Sequence, residues 1–305
     1  MTLFSSLVAS ILMLAAPLVQ AADLRQVTDA FGNTVQVPAK PQRVVVLSEI
    51  DLDNALTLGV TPVGALNGRG QPSLPRYLLD KVGNDIEVIG DLDSPNLEAL
   101  IALAPDLILI GQTRPELLAL LGEIAPTVVT GKWGEPWQDI FRRTAHSLNR
   151  DQEGAAFLQH YTERLTQARS TLAKQQGQSI SIVRWNPKGP SFMYPGTFAS
   201  SVVESMGLVR PAQQQGKDAP HSPPLSLESL NLLDADWLVI GTLSATGDAV
   251  DAMKQAEQTP AFQQLGVIKT KRFGVVDGSL WTSSGGPQAA LKVIDDVEQL
   301  LTAAR

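Results

Sequence analysis

The chain has 305 residues, enough for two lobes of about 120–140 residues, each with its own core. With 44% hydrophobic and 18% charged residues it has the make-up of an ordinary folded chain rather than a disordered or fibrous one. A formal net charge of -7 speaks against non-specific nucleic-acid binding, and the absence of cysteine excludes disulfides, thiolate metal sites, cysteine nucleophiles and a lipidated N-terminal cysteine.

Residues Met1 to Ala22 carry no charged side chain, and their apolar stretch, Leu7 to Val19, has the length of a signal-peptide core rather than of a membrane span. Val19-Gln20-Ala21 gives the small-x-small pattern of a cleavage site, so residues 1–22 are expected to be a signal peptide cut after Ala21 or Ala22. The leader is atypical in having no Lys or Arg before its apolar run. No later segment approaches a membrane span. Export without a lipidated cysteine predicts a free periplasmic protein.

Val27 to Val37 alternates around Phe31-Gly32-Asn33 and predicts a short hairpin. Val44 to Leu47 is a β-branched run suited to a buried parallel strand. A helix is predicted over Asp53–Leu58, ending at Gly59. A strand over Val60–Ala65, a Gly/Pro-rich loop over Asn67–Pro75 and a helix near Arg76–Val82 follow. The strand–helix alternation continues to about Leu148 and implies a mostly parallel sheet covered by helices. From Asp151 to Gln176 apolar residues recur at helical spacing, predicting one rod of about 35–40 Å. The alternation resumes with a strand at Ser179–Trp185. The expected organisation is a leader over 1–22, an N-terminal α/β lobe over 23–148, a linking helix over 149–177 and a C-terminal α/β lobe over 178–305.

The two halves repeat each other. Ser94–Gly111 and Pro224–Gly241 share Leu97/Leu227, Glu98/Glu228, Leu100/Leu230, Leu103/Leu233, Asp106/Asp236, Ile110/Ile240 and Gly111/Gly241. Each reads as a short helix, capped by Asn96 or Ser226, a turn with Asp, and a strand. Val128–Trp133 resembles Val275–Trp281, and Glu49–Val60 resembles Phe198–Leu208. Two similar α/β lobes should face each other, with function at the carboxyl ends of their strands.

That rule selects the candidate ligand-binding residues. Ser48 and Glu49 follow the first strand; Tyr194, Thr197 and Phe198 occupy the same place in the second half. Helix starts favour anionic groups, to which Ser48 and Thr197 could add hydroxyl bonds. Arg69 lies in the loop Gly68-Arg69-Gly70, and Arg184 ends the Ile180–Trp185 strand beside Trp185. Guanidinium groups bind carboxylate or hydroxamate oxygens bidentately. Trp133 and Trp281 leave equivalent strands and would supply rigid apolar walls, although a strand-end Trp is more often a core residue. Glu98 and Glu228 are explained either as acidic residues favoured by a helix dipole or as a matched pair meeting a two-fold-symmetric partner. Only three histidines are present, His146, His160 and His221, and no nucleophile–base motif is visible, so the sequence reads as a binder with no catalytic residues, no cofactor and no metal held directly by the protein.

The runs Thr28-Asp29-Ala30-Phe31-Gly32-Asn33, Arg43-Val44-Val45-Val46-Leu47-Ser48, Leu56 to Gly64 and Asn96 to Ile108 resemble the iron-siderophore and cobalamin binding proteins of ABC importers. The likeness extends from about Asp23 to the C-terminus. Arg184 with Phe192–Gly207, and the Trp281 loop leading into Gly285–Asp296, are most similar to the ferric siderophore branch, which includes ferric-hydroxamate and ferric-citrate binding proteins. The resemblance implies a class III binding protein: two Rossmann-like lobes with mostly parallel sheets, joined by one long rigid helix, and closing little on the ligand. It implies a monomer whose ligand is an iron(III)–siderophore, with the iron coordinated by the siderophore alone. It implies that Glu98 and Glu228 meet arginines of the inner-membrane permease, and that Arg69 stands where the ferric-hydroxamate proteins keep a ligand-contacting arginine. Aromatic positions align less securely, which leaves Trp133, Trp185, Tyr194 and Trp281 as pocket candidates. A cobalamin or haem binder of the same fold, and a periplasmic metal-ion binder or metal-assisted hydrolase, are the alternatives.

Overall fold

The computed structural model describes residues 23–303 other than 84, 93, 217, 218 and 284, so the expected signal peptide lies outside the described residues. A hairpin opens the fold: β1 (Leu24–Thr28) pairs antiparallel with β2 (Thr34–Pro38). Asp29 closes its turn, accepting from the backbone N–H groups of Phe31 and Asn33 at 2.8 Å each, and Gly32 takes the positive φ of +87° that the turn needs.

The N-terminal lobe continues with β3 (Val44–Val46), α1 (Glu49–Thr57), β4 (Gly64–Ala65) and β5 (Glu87–Val88). The two-residue strands β6 (Gly90–Asp91) and β7 (Ser94–Pro95) pair with each other ahead of α2 (Leu97–Ala102). Then come β8 (Leu107–Gly111), α3 (Pro115–Ile124), β9 (Thr127–Gly131) and α4 (Trp137–Ser147). The five-stranded sheet has the order β5-β4-β3-β8-β9 and is parallel throughout. Its central strands are apolar on both faces, as a helix-covered parallel sheet requires.

Helix α5 (Asp151–Thr171) links the halves; its 21 residues span about 31 Å. It stops short of the Gln176 expected from the sequence, and the chain turns through Gly177, whose N–H donates to Gly207 O at 2.8 Å. The C-terminal lobe comprises β10 (Ile180–Asn186), β11 (Gly189–Phe192), α6 (Phe198–Ser205), β12 (Trp237–Thr242), α7 (Asp248–Glu257), α8 (Pro260–Gln263), α9 (Gly266–Lys269), β13 (Phe273–Asp277), α10 (Gly278–Trp281) and α11 (Pro287–Ala303). Its sheet runs β11-β10-β12-β13, with β11 antiparallel and the rest parallel.

Helix α1 begins at Glu49, the helix start read from the sequence, because Ser48 caps it, accepting from Asp51 N at 3.1 Å. Two local elements differ from the sequence reading. The helix expected near Arg76–Val82 is a single 3-10 turn, Arg76–Leu78. The segment after Ser226 is 3-10 rather than α (Leu227–Leu233), and Ser226 Oγ lies 3.4 Å from Ser229 Oγ instead of capping a backbone N–H. Asn96 does cap its helix, accepting from Ala99 N at 3.1 Å.

The internal repeat has a structural reason. Asp106 accepts from the backbone N–H groups of Gln42 and Arg43 at 2.7 and 2.9 Å, and Asp236 accepts from Ser179 N at 2.8 Å. Each aspartate thus ties down the backbone just before the first sheet strand of its lobe. Leu100 and Leu230 are equivalent buried anchors. One hydrophobic core runs through both halves, joining Val44 and Phe141 to Tyr161 of the linking helix, Ile182, and Val293 and Val297 of α11. Helix α11 packs on α1, α5 and α6, so the halves are fastened by more than the linker.

Candidate ligand-binding cleft

The strand tips of the two sheets face each other and touch. Glu49, just after β3, accepts from Ser283 Oγ at 2.6 Å. Arg76 bonds Asp277 at the end of β13, with Nη2 2.5 Å from Oδ1, and donates from Nη1 to Leu243 O at 2.8 Å. Ser244 Oγ donates to Gly70 O at 2.5 Å. Four contacts made at the carboxyl ends of β3, β4, β12 and β13 therefore join the two lobes at the place where an inter-lobe cleft would lie.

A second fastening lies at its base. Asp53, on the same face of α1 as Glu49 one turn earlier, caps the first turn of α11. Its carboxylate accepts from Gln288 N at 2.9 Å and Ala289 N at 3.1 Å, with Tyr77 Oη at 3.2 Å and Thr57 Oγ1 at 3.3 Å. Gly286 permits this approach, because a Cβ there would stand 2.9 Å from the Asp53 Cβ. Burial pushes the Asp53 carboxyl up to about 6, against the lowering effect of these donors.

Arg184 and Arg69 come from opposite lobes and lie near enough for their charges to repel. Starting in the N-terminal lobe, the backbone N–H of Arg69 donates to Glu49 Oε1 at 2.8 Å. Glu49 Oε2 binds Ser283, and the carbonyl of its neighbour Thr282 accepts from Arg184 Nη1 at 3.3 Å. Arg184 is buried, with 5% of its surface exposed, and its Nε has no hydrogen-bond partner. Burial lowers its pKa first, and repulsion from the Arg69 guanidinium lowers it further. Among the described residues neither arginine forms an ion pair. Glu49 accepts from Ser283 and the Arg69 backbone, and burial holds its pKa above the ordinary range against the lowering effect of these bonds and of the Arg69 charge. Asp277 is committed to Arg76.

The remaining candidates fall into three groups. Trp133 leaves β9 on a loop turned by Gly134 at φ +76° and stands 77% exposed, its N–H donating to Gln112 Oε1 at 3.0 Å. Since β9 lies three strands from β4, Trp133 and Arg69 leave their sheet about 14 Å apart. Tyr194, Thr197 and Phe198 line the start of α6 and are partly buried; Thr197 Oγ1 lies 3.0 Å from Tyr194 O, the Tyr194 ring packs edge-on against Phe192 at 5.4 Å, and Phe198 joins the main core. Ser48 spends its hydroxyl on the α1 cap and on Asp51.

Trp185 and Trp281 correct the sequence reading, which placed both at the cleft. Trp185 is 2% exposed, packed edge-on against Phe262 in the C-terminal core. Trp281 is 1% exposed, and its Nε1 donates to Asp296 at 2.9 Å. The two strand-exit tryptophans differ because Asp277 caps α10, accepting from Ser279 N at 2.9 Å, and that turn rotates Trp281 inward; β9 is followed by an open loop instead. Sequence reading passed over Asp53, Arg76 and Asp277. Their partners lie 201 or more residues away, and no local pattern marks such pairs.

Glu98 and Glu228 are exposed on the first turns of equivalent helices, one per lobe. Hydrogen bonding from Ser226 lowers the pKa of Glu228. Among the described residues no helix is long and apolar enough to cross a membrane.

Comparison with known proteins agrees with this architecture. The profile of the family described as "Periplasmic binding protein" matches residues 45–279. The chain is 30% identical over 290 residues to the probable siderophore-binding lipoprotein YfiY of Bacillus subtilis, covering 92% of this chain and 88% of that one. It is 25% identical to the Fe(3+) dicitrate-binding periplasmic protein FecB of Escherichia coli, covering 90% and 92%. The crystal structure of Staphylococcus aureus SirA complexed with staphyloferrin B superposes with a TM-score of 0.79 at 25% identity, covering 91% of this chain and 98% of SirA. Two α/β lobes, mostly parallel sheets and one linking helix are the architecture expected of class III binding proteins. The chain belongs to the periplasmic binding protein family.

Proposed function

We propose that the chain is the substrate-binding component of an ABC importer, capturing an iron(III)–siderophore between its lobes and delivering it to an inner-membrane permease. The observation that carries the reading is Arg184: a buried guanidinium at a strand tip, with Nε unpartnered and Arg69 as its charged neighbour. Burying a charge without a counter-charge is costly, and an anionic oxygen of a ligand would remove that cost. Arg69 and Arg184 would hold the ligand from opposite lobes, Trp133 would wall its outer side, and Tyr194, Thr197, Phe198, Ser48 and Glu49 would shape the rim. Glu98 and Glu228 would meet one arginine on each permease subunit. The protein would bind rather than catalyse, act as a monomer, and leave the iron coordinated by the siderophore. The absence of cysteine supports release into the periplasm after leader removal rather than anchoring through a lipidated cysteine.

The test is fluorescence titration with several ferric siderophores, the same siderophores without iron, cobalamin and haem. Saturable binding of at least one ferric siderophore is expected, and Arg69→Ala should weaken it by about tenfold or more, as loss of a charge-assisted bond does. Binding of cobalamin or haem without any ferric siderophore would overturn the reading.

A further inference from the structure

We propose that Arg76 and Ser244 form a latch that holds the lobes together at their strand tips in the ligand-free chain, and, resting on the reading above, that this latch parts to admit the ligand. Both residues bond across the lobes. Arg76 reaches Asp277 with two nitrogens, Nε at 3.3 Å from Oδ2 and Nη2 at 2.5 Å from Oδ1, and gives Nη1 to Leu243 O at 2.8 Å. Ser244 Oγ donates in the other direction, to Gly70 O at 2.5 Å. Gly70, at φ +68°, allows the close approach, since a Cβ there would stand 3.0 Å from the Leu243 Cβ.

The two contacts belong to one preformed body. In the loop that carries them, Gly68 N donates to Ser73 O at 2.8 Å, Gln71 N to Gly68 O at 2.9 Å and Arg76 N to Gln71 Oε1 at 2.9 Å. The 3-10 turn at its end is anchored on its own lobe: Leu78 is fully buried in the core, and Tyr77 Oη donates to Asp53. Gly70 and Arg76 therefore meet or leave the other lobe together.

This side of the junction is built to part, and the opposite side is not. Arg76 and Asp277 keep 26% and 29% of their side chains exposed, and ion pairs open to water contribute little. Asp277 is not left bare on release, because Ser279 N and Oγ still donate to its Oδ1 at 2.9 and 2.6 Å. Arg76 and the Leu243 carbonyl exchange each other for water. At the base, α11 buries Ala289, Ala290, Val293 and Val297 in the core shared by both halves, and separating that face would expose apolar surface.

The chain has no cysteine, so Glu116→Cys with Asp248→Cys would place two nitroxide labels specifically, on exposed first-turn positions of α3 and α7, one per lobe. Double electron–electron resonance without ligand should give one narrow distance distribution. Arg76→Gln should add a longer population, and Ser244→Ala a smaller one. A wild type already split between two distances, or an unchanged distribution in Arg76→Gln with a normal thermal melt, would overturn the latch; should Arg76→Gln fail to fold, Ser244→Ala decides in its place. In stopped-flow mixing with the tightest-binding ferric siderophore from the titration above, Arg76→Gln should speed association about three- to tenfold, as removal of a modest closed-state bias does. Unchanged or slower association would overturn the parting step. Binding of no ferric siderophore would overturn the functional reading, while the label distances would still decide the latch.

Discussion

Arg184 and Arg210 are both buried in the C-terminal lobe at 5% exposure and both leave Nε unpartnered, but their terminal nitrogens differ: those of Arg210 have three acceptors and those of Arg184 one, at 3.3 Å. Arg210 holds three acceptors that bring β10, the Met193 loop and Gln214 together, and burial lowers its pKa to about 10. Arg210→Met should therefore cost about 3–5 kcal/mol, because carbonyl and amide oxygens are left unpaired inside the protein. Arg184→Met should leave the chemical-denaturation midpoint unchanged or raise it, since it removes a poorly satisfied charge near a second guanidinium. Denaturation curves of the two variants check this, and a large loss of stability in Arg184→Met would make Arg184 a structural residue. The position of Arg184 near the end of a buried strand was legible in the sequence, because apolar neighbours surround it; how its charge is met was not. Trp281 was not, because its inward turn is set by the Asp277 cap and by Asp296, fifteen residues further on.

At the scale of elements, α1 carries two carboxylates one turn apart, Glu49 and Asp53, and both reach segment 283–289 of the other half. Burial raises the pKa of each. For Asp53 the folded value of about 6 lies above the unfolded value near 3.8, so the native state binds the extra proton. Its contribution is therefore fully present below about pH 4 and is lost as pH rises through about 6. Relative to Asp53→Asn, the wild type should gain stability as pH falls from 7 to 4. Paired denaturation curves across that range check it; a wild type that loses ground on acidification would mean that Asp53 is stabilised as the anion. The elements themselves were largely readable. Apolar periodicity located the strands and the linking helix, and Gly59 and Gly207, both at positive φ, mark the ends of α1 and α6. The α1–α11 junction was not readable, because it pairs residues 235 and 236 positions apart through backbone N–H groups that carry no sequence signature.

For the whole molecule, the shared core, α5 and α11 tie the halves together at several points, so ligand capture should involve small closure rather than a wide hinge motion. The exposed Glu98 and Glu228 lie one per lobe, on equivalent helix starts. In cells, Glu98→Ala with Glu228→Ala should cut iron uptake at least tenfold while the purified protein keeps its siderophore affinity. Normal uptake by the double variant would remove these residues from permease docking.

The central claim is that iron enters the groove between the strand tips, held there within a chelate. Anomalous X-ray scattering at the iron edge, from crystals grown with the tightest-binding ferric chelate, locates the metal directly. The account predicts one iron site between Arg69 and Arg184, with no protein atom in its coordination sphere. An iron site on an outer face of either lobe, or one ligated by a protein side chain, would contradict it.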